Sequence, residues 1–417
     1  MKNYLYAFNT KKAKWYFHRL KIMSVRELGV RSLQTFQFLW EKYFLTNKTS
    51  RPLELSPYKA IFCSDKYTSI SNASAAYQAF GIKIGLDKKI NWHKDPGSDN
   101  EFPRLFYHNI DIRNPEYGSA RYVYEINRMQ YLPILALNFK RTGSKKWLKR
   151  IVEIITDWTR QNPFLIGINW QSNLEVNLRL ISWFVTWQIL EPHEHNRFPI
   201  YFNEFVDSVW VPSIYQHCVY SYKHPSLFSS ANNHRIGELT GAFVSSCLWQ
   251  FPESKKWRMY AQNNLESEIK RQHSLNGVNN EEAFGYAIFV ADLLALAYTA
   301  GEESGNRFSS GFKNLLRKIF DYLFNATDSY SNSPRYGDDD GASASGFELK
   351  GPGRIKSLMV SAAILFKDEK YKSKTGNFDR RNEFLFGKKG RRIFDSLIEK
   401  KAKNSSVYYP KEGHCAA

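Results

Sequence analysis

From Glu116 onwards, apolar residues recur at helical spacing in one segment after another, with short polar turns between the segments. Stretches such as SKKWLKRIVEIITDWTRQNP and NNEEAFGYAIFVADLLALAYTAG begin at a Ser or Asn cap and end near Gly, Pro or Asn, as helices do. Helices of about 15 to 20 residues joined by short turns lie antiparallel. The pattern therefore predicts a mainly α fold, built as a series of helical hairpins.

The pattern changes on both sides of this helical region. Residues 1–66 form an aromatic, basic segment in which MSVRELGVRSLQTFQFLW places apolar residues along one helical face. Residues 367–417 are a basic tail that ends in YYPKEGHCAA, which resembles the beginning of a further element. We therefore expect a helical domain at residues 67–366, flanked by these two segments.

Charge narrows the choice of partner. The chain of 417 residues has 59 Lys and Arg against 40 Asp and Glu, a formal net charge of +19. Such an excess points to a polyanion, which could be a nucleic acid, an anionic membrane or an acidic polysaccharide. Nucleic acid is disfavoured, because no helix-turn-helix, RNA-recognition or finger pattern accompanies the charge.

Cysteine usage and the N-terminus bear on location. Four widely separated cysteines without a CxxC pattern predict neither a disulfide framework nor a thiolate zinc site. The start, MKNYLYAFNTKKAKWYFHRLK, lacks the apolar region and small-residue cleavage site of a secretory signal. No run approaches about 18 apolar residues, so no membrane-spanning helix is expected. The chain as written is expected in the cytoplasm.

Candidate chemistry begins at SSANNHRIGE, residues 229–238, at the mouth of a predicted helix. Asn232 fits a helix cap, because its side-chain oxygen can accept a hydrogen bond from the first turn. His234 could simply pair with Glu238 one turn later. A helix N-terminus also attracts anions, so Asn233 and His234 are candidates for binding an anionic group.

Three other segments carry polar residues with alternative interpretations. In GINWQSNLEVNLRLISW, residues 167–183, Glu175 and Arg179 lie four apart and could pair, or Arg179 could bind a carboxylate in a cleft. Tyr286 lies in the helix predicted from GVNNEEAFGYAIFVADLL, where a ring in the core is the alternative. The loop at residues 91–114 is rich in Trp, Pro and charge, and is either functional or a cover over the helices.

Two stretches raise the question of a metal. SPRYGDDDG, residues 333–341, has three adjacent carboxylates but lacks the alternate-residue spacing of an EF-hand, so a solvated turn is an equal alternative to calcium. HEH, residues 193–195, has the His-x-His form of some zinc sites, yet it stands in a proline-flanked loop. No metal or cofactor is therefore expected.

Taken in order, these segments resemble the helical domain of the heparinase II/III and alginate lyase superfamily of polysaccharide lyases. The resemblance runs from about residue 15 to 340 and is most specific at residues 92–104, 167–183, 232–238, 281–286 and 337–341. It implies an incomplete (α/α) toroid whose cleft binds a uronate-containing anionic polysaccharide, with the family's C-terminal β-sandwich missing or truncated. Many such relatives work in the periplasm.

The resemblance also implies residue roles. Elimination across C4 and C5 of a uronic acid requires its carboxylate to be neutralised, a proton to be taken and the leaving oxygen to be protonated. Asn233 would bind the carboxylate, His234 would neutralise it or act as base, and Tyr286 would exchange the proton at the glycosidic oxygen. Tyr286 would need cationic neighbours to act as a base near neutral pH.

The expected substrate-binding residues are Asn232, Arg179, Trp170, Glu175 and Arg104. The alternative to a lyase is a non-catalytic module that binds an acidic glycan during capsule or exopolysaccharide assembly.

Overall fold

The computed structural model describes residues 18, 21–44, 61–62, 76–85, 89–347, 352–399 and 406–416. The chain divides into two units, residues 1–49 and residues 50–417. In the first unit, helix α1 spans Val25–Phe44. The Ser24 hydroxyl accepts a hydrogen bond from the Glu27 amide at 3.2 Å, as an N-terminal cap does.

Helices dominate the second unit, as the sequence pattern predicts. In chain order they are α2 Ala120–Asn127, α3 Leu132–Thr142, α4 Lys145–Gln161, α5 Asn173–Leu190, α6 Ile200–Phe205, α7 Val211–Lys223, α8 Asn233–Leu248, α9 Ser254–Gln272, α10 Phe284–Ser304, α11 Ser310–Ala326, α12 Pro352–Phe366 and α13 Arg380–Ser396.

The strands of the described residues form two short antiparallel hairpins. β1, Ala76–Ala79, pairs with β2, Ile82–Gly85, and β3, Val407–Tyr409, pairs with β4, His414–Ala416. Neither hairpin amounts to a sandwich. The prediction of a mainly α fold is therefore confirmed.

Consecutive helices joined by short turns pack side by side: α3 on α4, α8 on α9, and α10 on α11. Helix α12 also packs on α13, across the longer connection of residues 367–379. Several begin at the caps that the sequence suggests. The Ser172 hydroxyl accepts from the Glu175 amide at the start of α5, and the Ser309 hydroxyl accepts from the Phe312 amide before α11. Helix α3 ends at Gly143 in the left-handed conformation.

Helix α8 is the central element of the fold, because it packs on α5, α9 and α10. Its Gly237 and Gly241 give α5 room to approach. A Cβ at Gly237 would stand 2.3 Å from Leu174 Cδ1, and one at Gly241 would stand 2.6 Å from Asn177 Cβ. These two glycines, four positions apart, leave a bare stripe on α8, and the stripe brings α5 close to the helix that carries Asn233 and His234.

Gly241→Ala is expected to lower the free energy of unfolding by about 1–3 kcal/mol, because the added methyl group forces Asn177 and the α5 backbone apart. Urea unfolding measures the change. Gly311→Ala is the matched control, since the nearest atom to its added Cβ is the Ser309 hydroxyl at 3.5 Å. The control should change the free energy by less than about 0.5 kcal/mol. Equal stability of Gly241→Ala and the natural protein would contradict the close α5–α8 approach.

Helix α10 corrects one expectation from the sequence. Phe284–Ser304 is long and apolar enough to span a membrane by length and composition, although no such run was expected. The most apolar stretch of 18 residues in this helix is 94% buried inside the fold, as in the core helix of a folded domain. This helix is therefore weak evidence for a membrane span.

The segment after residue 366 contains more structure than a basic tail. Helix α13 packs on α12, and its Arg381 reaches Asp292 of α10 at 2.7 Å. Asn382 donates to the Ser357 carbonyl at 3.0 Å. The limits predicted at residues 66 and 366 stay predictions, but α13 is bound to the helical core by buried polar contacts.

Candidate active site

The mouth of α8 carries the three polar residues that the sequence singles out. The Asn232 side chain caps the helix, accepting from the His234 amide at 3.1 Å. Asn233 is buried in the first turn, whereas His234 is exposed. The alternative in which His234 pairs with Glu238 is wrong, because the buried Glu238 carboxylate accepts from Ser226 and contacts Arg235 instead.

Asn233 is held by a carboxylate from another part of the chain. Its backbone amide donates to Glu281 Oε1 and its Nδ2 donates to Glu281 Oε2, both at 2.6 Å. The Glu281 amide in turn donates to Asn279 Oδ1 at 2.9 Å, which fixes the loop before α10. Burial raises the pKa of Glu281, and the Asn233 hydrogen bonds offset part of that rise. The backbone amide and the side-chain amide of Asn233 are therefore both oriented to hydrogen bond a carboxylate.

Tyr286 lies in the first turn of α10 and reaches a second carboxylate. Its hydroxyl donates to Asp340 Oδ2 at 3.2 Å, and Asp340 Oδ1 pairs with Arg121 of α2 at 2.7 Å. Burial raises the pKa of Tyr286 to about 12, and the charges of Asp340, Asp338 and Glu281 add to the rise. The neighbours of Tyr286 are thus mainly acidic, contrary to the expectation of cationic ones, and the hydroxyl is protonated at neutral pH.

The electrostatic environment links His234 to the same cluster. Partial desolvation lowers the pKa of the His234 imidazole, and Arg128 lowers it further, while Glu175 and Asp340 raise it. Asp340 therefore acts on both His234 and Tyr286. The net direction is downward, so the ring is neutral at neutral pH and has a free nitrogen lone pair to accept a proton.

Two glycines place Asp340 beside Tyr286. Gly337 has a positive φ of 64°, and a Cβ there would stand 2.5 Å from the Ala283 Cα. A Cβ at Gly285 would stand 2.4 Å from Asp339 Cγ. The Phe284 amide also donates to the Tyr336 carbonyl at 3.1 Å. The loop of residues 333–341 therefore lies directly against the first turn of α10.

This loop does not gather its carboxylates around one point. Asp339 pairs with Arg354 at 3.2 Å, whereas Asp340 turns to Tyr286 and Arg121. Among the residues that the structure describes, no group of three His, Cys, Asp or Glu side chains could hold a metal ion. In the HEH stretch, His195 lies 3.9 Å from Asp207. The calcium and zinc interpretations gain no support there.

Glu175 and Arg179 do not pair as the sequence suggests. Glu175 is buried and forms a bidentate pair with Arg128, the residue that caps the C-terminal end of α2, at 2.7 and 2.8 Å. Arg128 also contacts Glu125 at 2.7 Å. Glu175 is therefore part of a buried ion-pair network, and its carboxylate, whose charge raises the pKa of His234, is already occupied by Arg128.

Arg179 and Trp170 are core residues, so the prediction that they bind substrate is wrong. Arg179 is fully buried and donates to the carbonyls of Asn127 and Asn169 at 3.1 and 3.0 Å and to His217 Nε2 at 2.9 Å. Its guanidinium lies over the Trp158 ring. Trp170 is buried against the rings of Trp158, His217 and Tyr220. Neither side chain has a face open to a ligand.

Arg104 lies on the loop of residues 91–114 and is exposed. Its guanidinium stands 3.5 Å from Glu101 of the same loop. The start of the loop covers the helices: Trp92 is buried and donates to Asp157 at 2.9 Å, and Asn127 donates to the Trp92 carbonyl at 3.0 Å. No recorded contact joins Arg104 to the described residues around His234, and its predicted role stays a prediction.

A cavity of about 620 Å³ opens beside the loop that carries Glu281. Its walls come from the α9–α10 connection and from the β3–β4 hairpin, and its polar lining residues are Ser274, Asn276, Asn279, Asn280, Glu282, Lys411, Glu412 and His414. Cavities of roughly 300–1,000 Å³ accommodate small organic ligands. Asn279 both lines the cavity and bonds the Glu281 amide, so the cavity adjoins the cluster.

Sequence reasoning missed four members of the cluster: Glu281, Asp340, Arg121 and Arg128. Glu281 and Asp340 stood in quoted segments, but neither had a signal for its partner, because Asn233 and Tyr286 lie 48 and 54 positions away from them. Arg121 lies in α2 and Arg128 caps its C-terminal end, seven positions later and thus on the same helical face. Only that spacing could have found them.

Comparison with known proteins adds a family to this geometry. Residues 62–347 match the family model described as Heparinase II/III N-terminus. A heparin-sulfate lyase of Pedobacter heparinus is 23% identical over 261 residues, covering 60% of this chain and 35% of that protein.

Two solved structures share the fold. A crystal structure of heparinase III covers 93% of this chain and 57% of its own, with a TM-score of 0.56 and 16% identity. A structure of the heparinase III gene product BT4657 covers 73% of this chain and 46% of its own, with a TM-score of 0.51 and 16% identity. The chain thus spans between a third and three fifths of the length of these relatives. Their fold confirms the predicted mainly α, incomplete (α/α) toroid.

Proposed function

The chain belongs to the heparinase II/III family, and from that premise we propose that it acts on a uronate-containing anionic polysaccharide by β-elimination. The relative from Pedobacter heparinus is named for heparin sulfate, so a glycosaminoglycan is the first substrate to test. The observation that carries the proposal is the hydrogen bond of the Tyr286 hydroxyl to Asp340 at 3.2 Å, with the Asp340 charge also raising the pKa of His234, and Asn233 next to His234 at the same helix mouth. A neutral base, a protonated acid and a carboxylate-binding amide thereby belong to one cluster.

Asn233 suits the substrate carboxylate. Its Nδ2 has two hydrogens, and Glu281 takes one of them. Glu281 therefore fixes the orientation of the amide while the second hydrogen is donated to the uronate carboxylate. The N-terminus of α8 adds a positive partial charge at the same place. Both effects make the proton at C5 more acidic, since they stabilise the charge that develops on the carboxylate when that proton leaves.

His234 and Tyr286 divide the two proton transfers. The neutral His234 imidazole takes the proton from C5, and the electron pair of that C–H bond forms the C4–C5 double bond. The C4–O bond breaks, and the Tyr286 hydroxyl gives its proton to the leaving glycosidic oxygen. A tyrosine with a pKa of about 12 is fully protonated at neutral pH, which suits the acid and not the base.

The elimination is tested by incubating the full chain with heparan sulfate, heparin and alginate and following the ultraviolet absorbance of the unsaturated uronate. Rising absorbance, together with a newly formed reducing end, supports the proposal. Salt-sensitive binding without any absorbance change would instead favour the non-catalytic glycan-binding module. Absence of both binding and turnover on every uronate polymer would contradict the proposal.

The pH dependence has a defined sign. The pKa of His234 lies below its usual 6.5, so the ring is neutral and active at neutral pH, and kcat/KM falls only as the pH drops through that lowered value. Asp340→Asn removes a negative charge that raises the pKa of His234, so the acid limb of the profile should move to still lower pH. Profiles of kcat/KM against pH measure the midpoints.

Asp207→Asn is the matched control, because Asp207 is an exposed aspartate beside a different histidine, His195. Its acid limb should coincide with that of the natural protein. An acid limb that moves upward in Asp340→Asn, or does not move, would contradict the assignment of His234 as the base.

A further inference from the structure

Helix α1 exposes an apolar face along its whole length. Seven of its residues expose between 50% and 87% of their surface: Val25, Leu33, Phe36, Leu39, Trp40, Tyr43 and Phe44. At about 100° per residue these positions fall within an arc of about 140°, which is the width of the apolar stripe that surface helices usually bury. The Trp40 and Phe44 rings stack at 4.3 Å and extend this face.

The opposite side of α1 is polar, and side chains on it pair with one another. Arg31 pairs with Glu27 at 3.3 Å, and the Gln37 side chain donates to Glu41 at 2.9 Å. Arg26 is exposed at the border of the apolar face. The helix is therefore amphipathic, with the apolar side turned to solvent and the polar side engaged in contacts along the helix.

The net charge of the sequence segment that contains α1 indicates the kind of surface that would cover this face. Residues 1–49 contain ten Lys and Arg and two Glu, so their formal charge is 10 − 2 = +8 out of +19 for the chain. A cationic segment whose exposed helical face consists of Trp, Tyr, Phe and Leu side chains is complementary to a surface with an anionic outer layer and an apolar layer directly beneath it. An anionic lipid bilayer has that composition.

We propose that α1 docks the protein on an anionic lipid surface, lying in the plane of the headgroups with its apolar face at the acyl boundary. A hydrated polysaccharide would satisfy the positive charge but would leave Leu33 and Leu39 in water. A second copy of the chain would cover the apolar face, but it would bring two +8 segments together, which repel. Lipid satisfies both the charge and the apolar area.

The test is co-sedimentation of the full chain with vesicles of phosphatidylcholine alone and of equal parts phosphatidylcholine and phosphatidylglycerol. We expect binding to the anionic vesicles that weakens with added salt, and at least about tenfold weaker binding to the neutral ones. The variant Phe36→Asp/Trp40→Asp should lose at least about tenfold in partitioning, because both side chains enter the acyl boundary. Circular dichroism checks that the variant keeps its helix content.

Tyr330→Asp/Ile398→Asp is the matched control, since both residues are exposed hydrophobics outside α1. It should partition like the natural protein. Failure of the natural protein to bind either vesicle, or equal partitioning of the α1 variant, would overturn the proposal. The proposal would also be overturned if the natural protein sediments as a dimer and does not bind vesicles, while the α1 variant sediments as a monomer. That result would assign the apolar face to contact with a second copy of the chain.

Discussion

Replacing His234 with alanine is expected to lower elimination activity by about 10²- to 10⁴-fold, because the base that takes the C5 proton is removed. The melting temperature should stay nearly unchanged. The imidazole is exposed, and the hydrogen bond at this position comes from the His234 backbone amide to Asn232, which alanine retains. Tyr286→Phe should lower activity over a similar range, since only the donated proton is lost.

The experiment compares kcat and the thermal midpoint of each variant with a matched control. His195→Ala removes another exposed imidazole, and Tyr330→Phe removes another exposed hydroxyl. Both controls should keep full activity. If the natural chain binds glycan without turnover, the same two site variants should weaken binding. If His234→Ala keeps unchanged activity and unchanged glycan binding, His234 is not part of the active site.

The helices of this protein are predictable from sequence because their determinants are local. Apolar spacing fixes the buried face, and a cap at Asn232 or Ser309 fixes the start, so only nearby residues are needed. The close contact at Gly241 was also readable, since the absence of a side chain at helical spacing permits approach. The position of the α8 N-terminus was predictable for the same reason, because the cap that marks it is a local feature of the sequence.

The partners within the site were not predictable, because they depend on packing between distant helices. Glu175 looked like a partner for Arg179 at one-turn spacing, yet it pairs with Arg128, which is 47 positions away. Tyr286 was expected among cations, but the tight turn at Gly337 brings Asp340 to its hydroxyl instead. A polar residue in a sequence indicates that a partner is needed and does not identify it.

Arg179 illustrates the same point for burial. An arginine in a helix that borders a cleft looks like a ligand for a substrate carboxylate, because arginine is seldom buried without a partner. Here three polar partners satisfy it within the core, from α7, the end of α2 and the turn before α5. Burial lowers the pKa of Arg179 to about 9, so the guanidinium stays charged at neutral pH. Its neighbour His217 is neutral, since burial and Arg179 both lower its pKa.

Arg179→Ala is therefore expected to lower the free energy of unfolding by at least about 3 kcal/mol, because it leaves two buried carbonyls and the His217 nitrogen without their donor and opens a cavity beside Trp158. Urea unfolding measures the loss. Arg104→Ala is the control: its side chain is half exposed and should change the free energy by less than about 0.5 kcal/mol. A substrate-binding Arg179 would behave in the opposite way, with KM raised and stability kept. The Arg179 guanidinium holds together the helices around the mouth of α8. We therefore expect Arg179→Ala to lose stability first, and any loss of lyase activity to follow from that loss of stability.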